Sequence, residues 1–158
     1  MESQILQKVK LVGHIGRDKL NRLKYAVVDE NSGRYACTYW KLLERLGNYS
    51  LMSFKLDTGR THQIRVHLAS KKLPIVGDKS YNPSSNISKN TSQKLTNIIR
   101  NFPRQALHAK FLSFECPETK KQISYEAAIP EDINNLILDI KNIPKYIRKT
   151  CFLTCKII

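Results

Sequence analysis

The spacing of apolar and polar residues predicts a strand hairpin followed by a helix in the first half of the chain. Residues 34–45 and 49–56 are rich in aromatic and other strand-favouring residues, and the Gly-Asn pair between them favours an antiparallel turn. Gly59 then ends the second strand. From Thr61 onward two apolar residues recur four positions apart, which is the spacing of one helical face. The sequence therefore predicts a turn that runs from a strand into a helix.

A second hairpin and a second helix are predicted further along the chain. Residues 106–115 and 122–128 are typical of paired strands around a polar turn. Pro130 begins a helix whose first turn is acidic, as the helix dipole favours, and whose apolar stripe is Ile133, Leu136, Ile137 and Ile140. Residues 82–96 are rich in Ser, Asn, Thr and Lys and indicate a flexible surface insertion. These elements predict an α+β fold, mainly an antiparallel sheet with packed helices.

The large apolar residues of the first hairpin are expected to lie in the core rather than to stack on bases; they are Trp40, Leu42, Leu51 and Phe54. No clear structure is predicted for residues 1–14, and the helical pattern ends near residue 141. We therefore expect one domain over residues 15–141, an unassigned N-terminal segment at 1–14 and an unassigned tail at 142–158.

Charge narrows the class of partner. The 158 residues include 27 Lys and Arg against 13 Asp and Glu, a net charge of +14, while 41% hydrophobic residues exclude compositional disorder. Such an excess favours a polyanion, most simply nucleic acid, although a basic composition that only aids solubility is the alternative.

Cysteine usage and hydropathy indicate the compartment. The four cysteines form no CxxC pair, and the sequence begins with no secretory signal; they are Cys37, Cys116, Cys151 and Cys155. Free thiols in a reducing cytoplasm are the expected state. No apolar run approaches the roughly 18 residues that span a bilayer, so no membrane partner is expected.

Residues 58–68, TGRTHQIRVHL, place two arginines and two histidines at the predicted strand-to-helix turn. Backbone amides at a helix start and nearby guanidinium groups both favour anions, so this turn predicts a site for a phosphate or a carboxylate. His62 and His67 are five positions apart, whereas two metal ligands on one helical face are three or four apart. We therefore expect hydrogen-bonded structural histidines and no metal.

Three sequence blocks together resemble a known enzyme family. TGRTHQIRVHLA at 58–69, LPIVGDKSY at 73–81 and RQALHAKFLSF at 104–114 follow one another as in the second half of RluA-type RNA pseudouridine synthases. A weaker block, IGRDKLNRLKYAVV at 15–28, resembles a basic segment of the same enzymes. The resemblance implies that the predicted domain is a partial pseudouridine synthase catalytic domain, acting on RNA and most simply on ribosomal RNA.

The resemblance also implies a chemistry and reveals a missing part. These enzymes break the C1′–N1 bond of uridine, turn the base and rejoin it through C5, using an aspartate and neither metal nor organic cofactor. That aspartate lies in a His-Arg-Leu-Asp segment. Neither this segment nor a match to the family's active-site tyrosine is found in the 158 residues. The arginine that holds the aspartate corresponds to Arg65. Asp78 is the one carboxylate within a family block, but its place after a glycine turn argues against a role as substitute nucleophile.

We therefore expect the C-terminal half of a pseudouridine synthase that is inactive alone. Three states remain open: an inactive remnant, a subunit completed by a separately encoded N-terminal half, and a protein that still binds RNA. A non-catalytic basic RNA-binding module is the alternative class. The candidate RNA-binding residues are Arg17, Lys19, Arg22, Lys24, Arg60 and Arg104. The first four also fit a solvated turn, Arg60 could brace its own turn, and Arg104 could cap a sheet end.

Overall fold

A five-stranded sheet forms the centre of the protein. The computed structural model describes residues 9–83, 87 and 91–142 together with the backbone of 153–157. In spatial order the strands are β2 (Tyr25–Val28), β1 (Val9–Arg17), β3 (Arg34–Leu46), β4 (Tyr49–Leu56) and β7 (Leu153–Ile157). Neighbouring strands are antiparallel except β4 and β7, which are parallel. The long strand β3 lies in the middle and pairs with both β1 and β4.

The turn chemistry explains the predicted first hairpin. Gly47 has φ of 62°, a left-handed conformation that favours glycine, and it reverses the chain between β3 and β4. Phe54 on β4 is 1% exposed, while Trp40, Leu42 and Leu51 are partly buried and pack against the same core. The predicted hairpin and its core residues are therefore confirmed.

Three helices complete the fold: α1 (Gln63–Ser70), α2 (Gln93–Asn101) and α3 (Glu131–Lys141). The side chain of Ser92 caps α2 by accepting a hydrogen bond from the N–H of Leu95. All four apolar residues of the stripe predicted for the last helix are buried in α3, in the cluster that also holds Phe54 of β4. The helices thus cover β4 with apolar side chains, and the predicted α+β class is confirmed.

A separate two-stranded hairpin, β5 (Phe111–Glu115) with β6 (Gln122–Glu126), lies outside the main sheet. Its register pairs Leu112 with Tyr125 and Phe114 with Ile123, so these four apolar side chains share one face. We call this the hairpin face. Leu112 is 58% and Tyr125 60% exposed, so the described residues leave the hairpin face largely uncovered. The sequence predicted this strand pair, and the predicted strands, 106–115 and 122–128, are longer than the observed ones.

The structure corrects three expectations. Residues 9–14 are the first part of β1, although their short alternation gave no clear signal. The predicted insertion ends earlier, because residues 93–96 begin α2, whose apolar spacing was masked by a polar composition. The first helix begins at Gln63 rather than Thr61, because His62 has a left-handed φ of 56°. Residues 1–8 lie outside the described part, and β7 lies within the segment 142–158.

Candidate functional site

The turn between β4 and α1 is held in place by one buried amide, the side chain of Gln63, which is 3% exposed. Its Nε2 donates to the carbonyl of Cys37 and to Oγ1 of Thr38, both at 2.9 Å. Its Oε1 accepts from the N–H of Arg60 at 3.0 Å and from the hydroxyl of Thr58 at 2.8 Å. These four hydrogen bonds join both sides of the turn to the central strand β3.

His62 precedes α1 in a left-handed conformation that only a few non-glycine residues adopt. Its Nδ1 lies 3.0 Å from the hydroxyl of Tyr81, and that hydroxyl oxygen accepts a hydrogen bond from the N–H of Tyr25 at 3.1 Å. The Tyr81 hydroxyl therefore links the His62 ring to the backbone of β2. Burial, followed by the charge of Arg65, lowers the pKa of His62 and favours the neutral imidazole.

Arg65, on the first turn of α1, forms a two-pronged ion pair with Asp78. Nε donates to Oδ2 and Nη2 donates to Oδ1, each at 2.8 Å. Oδ1 also accepts from the N–H groups of Ser80 and Tyr81, both at 3.1 Å. The guanidinium lies over the ring of Tyr81, 4.8 Å from its centroid. Arg65 therefore holds a carboxylate of the chain itself, Asp78, which is a different carboxylate from the aspartate that the family resemblance implies as its partner.

The two partners of this pair differ in what they leave available. The Asp78 side chain is fully buried, and burial raises its pKa, but the hydrogen bonds from Arg65, Tyr81 and Ser80 outweigh this and the net pKa is lowered. Its oxygens are occupied by four donors, which suits an anchor and not an attacking group. Arg65 remains 13% exposed, and its Nη1 has no partner in the described part of the chain. The ion pair thus fixes the orientation of the Arg65 guanidinium and leaves Nη1 available to a further hydrogen-bond acceptor.

A groove lined by three arginines is the second feature of the site. The cavity has a volume of about 600 Å³, and Arg17, Arg34 and Arg60 line it together with Tyr25. Two of these arginines were predicted from sequence to contact RNA. Arg34 was not predicted, because the sequence around it does not show that the pairing of β1 with β3 brings it to the groove.

The remaining predicted RNA-binding residues are placed differently. Lys19, Arg22 and Lys24 lie on the turn between β1 and β2, where Lys19 is 3.7 Å from the exposed carboxylate of Asp29. Arg104 instead makes a two-pronged pair with Asp132 on α3, with both contacts at 2.8 Å, and also donates to nearby backbone carbonyls. This arrangement attaches α3 to the loop between α2 and β5.

The second histidine of the motif has a structural position. His67 is 2% exposed, and its Nδ1 lies 3.0 Å from Oγ1 of Thr38. Burial and then Lys71 lower the pKa of His67, so it is neutral at pH 7.

Among the residues that the structure describes, no three His, Cys, Asp or Glu side chains form a group that could hold a metal ion. None of the helices described here is both long and apolar enough to cross a membrane.

Comparisons with known proteins agree with the sequence blocks. The sequence model of the family described as RNA pseudouridylate synthase matches residues 4–70. The ribosomal large subunit pseudouridine synthase D of Pseudomonas aeruginosa is 44% identical over 118 residues, which cover 75% of this chain and 36% of that protein. Its counterparts in Vibrio cholerae and Xanthomonas campestris are 37% and 43% identical over 80% and 78% of this chain. The chain therefore spans little more than a third of the length of these relatives.

Proposed function

Because the chain is related to the RluA-type RNA pseudouridine synthases, we propose that it supplies the arginine-bearing part of a site that isomerises uridine to pseudouridine in large-subunit ribosomal RNA. The observation that carries the proposal is the geometry of Arg65. Its guanidinium is fixed by Asp78 and Tyr81, and its Nη1 is left for a further acceptor. The relatives named above support the substrate class.

The reaction explains why such an arginine is needed. An aspartate that takes part in breaking and remaking a glycosidic bond has to be ionised and held in one orientation, and a guanidinium beside it does both. Asp78 accepts hydrogen bonds from Nε and Nη2 of Arg65, so a second carboxylate would contact Nη1 without displacing the first. In this proposal Asp78 and Tyr81 are positioning residues, and the reacting aspartate comes from sequence outside the 158 residues.

The hairpin face supports a contact with that additional sequence. Its four side chains are apolar, they lie on one face of β5 and β6, and the described residues leave them largely exposed. Exposed apolar patches of this kind mark contact surfaces. We propose that the segment bearing the His-Arg-Leu-Asp motif packs here.

Reconstitution tests the proposal. The 158-residue chain is incubated with ribosomal RNA alone, and then together with a second fragment that bears the His-Arg-Leu-Asp segment, and pseudouridine is measured by mass spectrometry. We expect no product from the chain alone and product from the mixture. Replacing Arg65→Met together with Asp78→Asn should abolish product without leaving a buried charge unpaired. Arg45→Gln, an exposed change on β3, is the control that should retain activity.

The outcomes separate the alternatives. Turnover by the 158 residues alone would disprove the need for an external aspartate. Product from the mixture despite the double change would remove the role of Arg65. RNA binding without product from any mixture would favour the non-catalytic RNA-binding module, which the groove arginines could support without an aspartate.

A further inference from the structure

The three groove arginines have no acidic partner among the described residues. Six ion pairs are found among the described residues, and none of them includes Arg17, Arg34 or Arg60. The protein therefore keeps three guanidinium groups around one cavity without neutralising any of them. Like charges so placed destabilise the free protein, and a bound anion would relieve that repulsion.

Two of the three guanidiniums are held in position. Arg17 lies over the ring of Tyr25, 4.4 Å from the centroid, and its Nη1 donates to the carbonyl of Arg22 at 3.1 Å. The Nε of Arg60 donates to the carbonyl of Tyr35 at 3.0 Å. Each of these two hydrogen bonds uses one guanidinium nitrogen, and the other nitrogens of Arg17 and Arg60 stay available to a ligand. Arg34 is exposed at the start of β3 and makes no contact of this kind in the described part of the chain.

Backbone forms part of the groove wall. Gly16 and Gly33 both line the cavity, and a Cβ on Gly16 would overlap the carbonyl of Ser32. These glycines let β1 and the turn before β3 approach each other closely, which brings Arg17 and Arg34 to the same cavity. The charge cluster is thus built by the packing of three chain segments, β1, β3 and the turn at Arg60.

The groove also adjoins the Arg65 centre. Tyr25 lines the groove, its N–H donates to the hydroxyl of Tyr81, and its ring meets the edge of His62 with centroids 5.9 Å apart. Tyr81 in turn lies under Arg65. A ligand that extended from the groove to the Arg65 centre would carry its negative charge in the groove.

We propose that this groove binds a backbone phosphate of the RNA strand beside the uridine that reacts at the Arg65 centre, with Arg34 as a contact that the sequence motifs do not indicate. Guanidinium groups match phosphate oxygens with two parallel hydrogen bonds, and a cavity of about 600 Å³ has room for a nucleotide unit. The adjacency to a reacting uridine rests on the proposed function. Phosphate binding itself does not.

A matched pair of variants tests the groove. Arg34→Gln and Arg45→Gln both remove one exposed positive charge from β3, and only the first lies at the groove. Affinity for a fluorescein-labelled single-stranded RNA oligonucleotide is measured by anisotropy at several salt concentrations, with thermal melts to verify folding. We expect Arg34→Gln to weaken binding about tenfold at low salt. Its salt slope should become shallower by about 0.7, the loss of one phosphate contact.

Arg45→Gln should stay within about twofold of the unchanged chain with the same salt slope. Equal losses in the two variants would overturn the proposal, because the effect would then reflect net charge alone. Amide resonances of Gly16 and Gly33 provide a second readout and should shift when the oligonucleotide is added; their invariance would also count against the groove. Neither measurement uses pseudouridine formation, so failure here leaves the proposed function standing.

Discussion

Replacement of Asp78 by Asn should cost far more stability than the same change at Asp132. Both carboxylates form two-pronged pairs with an arginine, and all four contacts are 2.8 Å long. The pairs differ in burial: the side chains of Arg65 and Asp78 are 13% and 0% exposed, against 37% and 34% for Arg104 and Asp132. The comparison therefore isolates the effect of burial on an ion pair.

The expected magnitudes follow from that difference. Breaking a buried pair strands the remaining charge, so Asp78→Asn should lower the free energy of unfolding by about 3 kcal/mol, at the low end of the usual range because Arg65 keeps some solvent. Asn still offers an oxygen to the N–H groups of Ser80 and Tyr81, so those hydrogen bonds survive. Asp132→Asn breaks a pair that water screens and should cost about 1 kcal/mol or less.

Urea unfolding followed by circular dichroism at pH 7 and at acid pH measures both effects. The pKa of Asp78 is lowered in the folded protein, so its contribution is full above the unfolded carboxyl pKa, near pH 4, and is lost as pH falls through the lower folded value. The gap between the unchanged chain and Asp78→Asn should therefore narrow below about pH 4. Equal costs at Asp78 and Asp132, or a gap that does not narrow in acid, would refute this account.

Two further predictions concern stability. Gly77→Ala should cost more than about 2 kcal/mol in urea unfolding, because φ is 73° and the new Cβ would overlap the carbonyl of Arg104; a neutral effect would mean that this loop adapts. Since burial lowers the pKa of His67, the unfolded chain binds a proton there more readily, so stability should decline as pH falls below about 6.5. His67→Asn should flatten that decline, and an unchanged slope would remove His67 as its source.

Sequence reasoning succeeded where the signal was local. The Gly-Asn turn after β3 and the apolar stripe of α3 depend on neighbouring residues, and both were predicted. It missed α2 because Ser, Asn and Thr around that segment outweighed the helical spacing of Leu95, Ile98 and Ile99. Composition is a weak guide when a few apolar residues suffice to attach a short helix.

The site was predictable only in part. The family resemblance implied that Arg65 holds an aspartate outside these residues, and that role stays a prediction. Its pairing with Asp78 was not predicted, because it depends on how residues 71–77 fold back, which no local pattern encodes. Arg34 became visible only when β1 and β3 were paired, because its significance lies in neighbours far away in the chain. The assignment of the six RNA-binding candidates stays a prediction.

The buried amide of Gln63 has a consequence for motion. Because it ties the turn at Arg60 to Cys37 and Thr38 of the central strand, the turn can move away only if the hydrogen bonds to that strand break at the same time. Local opening should then be suppressed, and the N–H of Arg60 should exchange with solvent deuterium nearly as slowly as the amides of β3. An arginine-bearing turn that looks like a surface loop would in this respect behave as part of the sheet.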